Sequence, residues 1–112
     1  MSGDDALTLP TVALGAEGVI SVVANEAPGE MSALVEAASA GELGRARELH
    51  YRLMPVMGAN FVETNPVPVK TAMSLLGFCE PVFRPPLGPP EQRTVEALRD
   101  ALKRADITGV ER

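Results

Sequence analysis

Asp4 and Asp5 stand side by side in the polar stretch Ser2-Gly3-Asp4-Asp5. Adjacent carboxylates can hold a divalent cation or pass a proton, but both tasks need further groups at defined spacing. No His or third acid stands at ligand spacing, so no metal site is expected. The plain reading is an acidic loop ahead of a helix, whose positive N-terminal end favours Asp. His50 and Tyr51 form a second pair; without a nucleophile beside them they read as packing or surface residues at the border of an apolar stripe. Lys70 could attack a carbonyl only if burial or a neighbouring cation lowered its pKa. Its context, Pro68-Val69-Lys70-Thr71-Ala72-Met73, offers neither, so a partly solvated helix lysine is expected. Cys79 is the one cysteine, and Glu80 beside it opposes a thiolate. It reads as a small, half-buried apolar side chain. An unrelated enzyme working through Asp4, Asp5 and His50 is a third class of reading, which a metal-content measurement would test.

The elements that must position these groups are mainly helical. Gly18-Val19-Ile20-Ser21-Val22 is the one clear strand pattern; its β-branched content suits a strand buried on both faces, and it delivers Asn25 to its C-terminal side. On this reading Ile20 is core. A lone strand leaves backbone groups unpaired, so the sheet must be completed by another chain or copy. Ahead of it, Thr8-Leu9-Pro10 opens a short helix with Thr8 as a possible cap, closed by Gly15. Further helices are expected at about 28–40, 42–62, 66–76 and 90–105. Their apolar stripes are Met31, Leu34, Val35 and Ala38; then Leu43, Ala46, Leu49, His50, Leu53, Met57 and Phe61; and finally Val95, Leu98, Leu102 and Ala105. Gly41 marks a tight helical hairpin, Pro55 a kink, and Asn65-Pro66 a break. Five prolines between 81 and 90 predict an extended linker, and residues 108–112 a frayed polar tail.

Composition narrows the class. With 112 residues the chain is one domain at most, and a complete (β/α)8 barrel needs roughly 250. A net charge of −5 and a pI near 4.8 exclude a basic nucleic-acid footprint. The lone cysteine fits a reducing compartment. No apolar run approaches the ~20 residues that span a bilayer, and no basic-then-apolar leader is visible. A soluble, cytoplasmic protein without membrane or nucleic-acid partners is expected.

Three separated motifs, Ser2-Gly3-Asp4-Asp5, Gly18-Val19-Ile20-Ser21-Val22 and Glu63-Thr64-Asn65-Pro66-Val67-Pro68-Val69-Lys70, agree in order and distance with a known pattern. Over residues 2–106 the chain resembles the C-terminal part of the dihydrodipicolinate synthase (4-hydroxy-tetrahydrodipicolinate synthase) family of pyruvate-dependent class I lyases. The resemblance implies a mainly α fold: the C-terminal end of a (β/α)8 TIM barrel over residues 1–26, then the family's helical segment over residues 27–112. Intact members condense pyruvate with aspartate semialdehyde through a lysine Schiff base, in lysine and diaminopimelate biosynthesis. That lysine lies on a barrel strand with no counterpart here, so no catalytic residue, no cofactor and no activity are expected of this chain alone. Gly3 and Ile20 match residues that wall the pyruvate pocket. The third motif carries a structural role. The implied partner is another copy or a complementary barrel fragment; the alternative is a non-catalytic helical interaction module.

Overall fold

The computed structural model describes residues 1–109 of the chain. Five α-helices follow in order: α1 (Thr8–Ala13), α2 (Pro28–Ser39), α3 (Leu43–Ala59), α4 (Val67–Leu75) and α5 (Gln92–Arg104). A short 3₁₀ turn at Asp5–Leu7 leads into α1, and another at Val23–Asn25 ends the loop after it. α2 packs on α3, α3 on α5, α1 on α2, and α4 on α5. Leu34, Leu53, Val56 and Leu98 are fully buried where α2, α3 and α5 meet, with Val23 closing the same core from the 3₁₀ turn.

Helix ends follow from local chemistry. Pro28 sits in the first turn of α2, where its missing N–H leaves no bond unmade. At the other end Gly41 adopts φ +76°, its N–H reaches Ala38 O at 3.2 Å, and the Glu42 N–H reaches Ala37 O at 2.9 Å. This paired closure needs a left-handed residue, which glycine supplies without a Cβ clash. α5 closes the same way through Asp106 at φ 55°, with Ile107 N–H on Leu102 O at 2.9 Å. Arg52 of α3 donates to Ala105 O at 2.7 Å, tying α3 to that terminus. α3 continues through Pro55.

Several expectations need correction. Among the described residues no strand forms at 18–22; a single parallel bridge joins Ser2 to Val19. Ile20, expected in the core, is 75% exposed. The reason is the missing sheet: an extended segment with one short neighbour has no second layer to bury its side chains against. Thr8 does not cap α1 but is buried inside its first turn. α3 stops at Ala59, and Leu43 and Phe61 at the ends of its expected stripe are exposed. Val35 and Val95 are half-buried, while Ala37 and Ala101 take inner places. Thr108 and Gly109 are exposed and outside any regular element, and Gly109 lies so close to Leu76 that a Cβ there would meet its carbonyl oxygen. The rest of the expected polar tail, 110–112, lies outside the described residues. Residues 81–90 form no regular element, as expected. Among the described residues no helix is long and apolar enough to cross a membrane.

Candidate functional site

The first five residues and the loop after α1 build one polar cluster. Ser2 Oγ accepts from the Asp4 N–H at 3.1 Å, and Asp4 Oδ1 accepts from the Ala6 N–H at 3.1 Å, capping the first 3₁₀ turn. Ser2 N–H donates to Gly18 O and Ile20 N–H donates to Ser2 O, each at 2.9 Å. These two bonds straddle Val19 in the parallel sense and bring Gly3 and Ile20 to neighbouring positions on an exposed edge.

Asp5 anchors the arrangement from beneath. Its residue is 2% exposed, and its carboxylate accepts the Val22 and Val23 N–H groups at 3.0 Å each and a short bond from Ser21 Oγ. Ser21 Oγ in turn accepts the Ala24 N–H at 2.9 Å. A buried carboxylate needs such donors, and here they hold the loop that carries Ile20. Asp4 and Asp5 therefore serve as a cap and a clamp. Among the described residues no group of three His, Cys, Asp or Glu side chains could hold a metal ion. Asn25 closes the loop by donating Nδ2–H to Val22 O at 3.0 Å and stays exposed.

Other candidates lie elsewhere. Lys70, half-buried on α4, holds its Nζ 5.7 Å from the centre of the Phe83 ring, a cation–π contact. Cys79 Sγ lies 3.7 Å from Lys70 O and is half-buried. His50 and Tyr51 meet edge-on with ring centres 5.4 Å apart; burial lowers the His50 pKa from 6.5, and Tyr51 is 69% exposed. Glu63 of the third motif accepts the Glu91 N–H at 3.0 Å, so the break before α4 is bonded to the start of α5. A cavity of about 350 Å³ opens between the Val19–Ser21 edge and Met31, Ser32 and Val35 of α2; Gly3 and Ile20 do not line it.

One buried pair escaped the reading of the sequence. Glu26 is 3% exposed and Asn60 fully buried, and Asn60 Nδ2–H donates to Glu26 Oε2 at 2.7 Å. Burial, and then the charge of Asp5, push the Glu26 carboxyl up from 4.5 to about 7 against the opposing hydrogen bond from Asn60. A signal was present: Asn60 continues the Leu53, Val56, Met57 register of α3, so a polar side chain stood where an apolar one was due.

Residues 1–105 match the dihydrodipicolinate synthetase family. The 4-hydroxy-tetrahydrodipicolinate synthase of Methanothrix thermoacetophila is 53% identical over 110 residues, which are 97% of this chain and 37% of that protein. The namesake enzyme of Aquifex aeolicus is 50% identical over 107 residues, 96% of this chain and 36% of its own length. A crystal structure of the dihydrodipicolinate synthase from Aquifex aeolicus superposes with TM-score 0.92 at 48% identity, covering 99% of this chain and 38% of that one. A monomeric dihydrodipicolinate synthase variant gives TM-score 0.91 at 47% identity, with coverage of 95% and 35%. The chain thus spans a little over a third of the length of these relatives.

Proposed function

This chain belongs to the dihydrodipicolinate synthetase family, and we propose that it acts as the C-terminal portion of a 4-hydroxy-tetrahydrodipicolinate synthase. The observation that carries this is the Ser2–Val19 bridge, which sets Gly3 beside Ile20 in a chain matched by the family over residues 1–105. On this reading residues 1–26 form the end of a barrel and residues 27–112 the helical segment behind it. The complete assembly condenses pyruvate with aspartate semialdehyde in a cytoplasmic pathway to diaminopimelate and lysine. A lysine supplied by the missing portion forms the Schiff base and stabilises the carbanion that follows. Gly3 and Ile20 contribute pocket wall: glycine lets backbone approach the ligand, and Ile20 offers apolar contact. No residue of this chain performs the proton transfers, and no cofactor is required.

The test uses the chain with the unmatched portion of the Methanothrix relative. Neither piece alone should condense the two substrates, and the mixture should. Borohydride reduction with pyruvate should leave the 112-residue chain at its own mass. A stoichiometric adduct on Lys70 or Lys103, or a mixture that folds together but stays inactive, would overturn the proposal. The second reading, a non-catalytic self-association module, draws on the exposed apolar side chains Leu14, Ile20, Phe61 and Val62.

A further inference from the structure

Glu26 and Asn60 are joined by one bond, yet each keeps a buried oxygen, Oε1 and Oδ1, with no donor. A buried acceptor left without a partner is destabilising, and more so when charged. Ionised, Glu26 has no hydrogen to offer, and Asn60 Oδ1 stays unmatched. Protonated on Oε1, Glu26 becomes a donor, and the pair itself can supply the bond that Asn60 Oδ1 lacks. The carboxyl and amide groups are both planar with their heteroatoms splayed alike, so an acid and an amide can close a ring of two antiparallel hydrogen bonds.

We propose that Glu26 is held as the neutral carboxylic acid, donating Oε1–H to Asn60 Oδ1 while Asn60 Nδ2–H donates to Oε2, and that this proton docks residues 18–26 on the end of α3. Asn60 is the C-terminal cap residue of α3, and Glu26 directly follows the Val23–Asn25 turn, so the pair bridges loop and helix. The charge facing Glu26 is that of Asp5, from the first 3₁₀ turn, and it repels a second carboxylate. Asp5 is itself committed to Ser21, Val22 and Val23. Lys70 of α4, the helix that touches the Val23–Asn25 turn, is engaged with Phe83.

The folded carboxyl, pushed up to about 7, holds its proton where the unfolded one, near 4.5, has lost it. The contribution of Glu26 to stability is therefore fully present below pH 4.5, declines as pH rises through the interval, and levels off above 7. A shift from 4.5 to about 7 corresponds to roughly 300-fold in the folding equilibrium.

The experiment follows the Glu26 carboxyl carbon by NMR in the 112-residue chain from pH 4 to 9, with urea unfolding at each pH for the unmodified chain and for Glu26→Gln. The expected midpoint is near 7, with stability declining toward alkaline pH. E26Q, whose amide can donate to Asn60 Oδ1 and accept from Nδ2 at any pH, should fold and lose that part of the pH dependence. A carboxyl titrating near 4.5, an E26Q chain with the parent's pH slope, or an E26Q chain that fails to fold would each overturn the proposal.

Discussion

At the scale of single residues the decisive fact is where Asp5 spends its charge. A sequence reader sees two adjacent acids and asks about metals. The structure turns one of them inward, onto three donors that lie 16 to 18 positions further on. Nothing in local spacing reports such a closure, because the partners are two backbone amides and one serine in an apolar stretch. Glu26 and Asn60, 34 positions apart, were hidden for the same reason. Asp5→Ala should lower stability by about 3 kcal/mol, since one buried and two half-buried donors lose a charged acceptor at once. Asp4→Ala, which removes a single exposed capping bond, should cost about 1 kcal/mol. Urea denaturation of the two variants checks the contrast; equal losses would remove the clamp from the argument.

At the scale of elements the helices were legible and the strand was not. Pro28 and Gly41 bracket α2 in the sequence as in the fold, because both act through the backbone of their own neighbourhood. The 18–22 strand depended on partners that residues 1–109 do not provide; the lone strand pattern signalled that need, but β-branched composition still assigned Ile20 to a core that does not form here. Periodicity also overreached at the ends of α3, where it assigned Leu43 and Leu53 to one stripe. Leu53 is fully buried, and Leu43 is 46% exposed beside the hairpin. Leu53→Ala should therefore cost about 3 kcal/mol through lost transfer energy and an unfilled cavity. Leu43→Ala should cost under about 1 kcal/mol. Thermal or urea unfolding of the pair tests the packing order directly.

For the whole molecule, the accessible surface is the informative quantity. The chain exposes 6660 Å², whereas a folded monomer of 11.8 kDa exposes about 5900 Å². Part of the difference is apolar: Leu14 is 89% and Ile20 75% exposed, beside a backbone edge that a further strand could pair. The isolated chain should therefore self-associate. Ile20→Lys should leave the monomer folded and weaken association by at least about tenfold, because an unpaired charge resists burial. Sedimentation velocity reads this; a compact monomer for the unmodified chain would mean that the exposed edge needs no cover.

The wiring of the N-terminal segment bears on how such a protein could be shuffled. Among the described residues, the side-chain hydrogen bonds made by residues 2–25 begin and end within that stretch. The next side-chain hydrogen bond along the chain joins Glu26, just beyond it, to Asn60. A recombination event that exchanged residues 2–25 between relatives would thus carry its clamp intact. A crossover between positions 26 and 60 would separate two side chains that make sense only together, so these two positions form a single heritable unit despite the 34 residues between them.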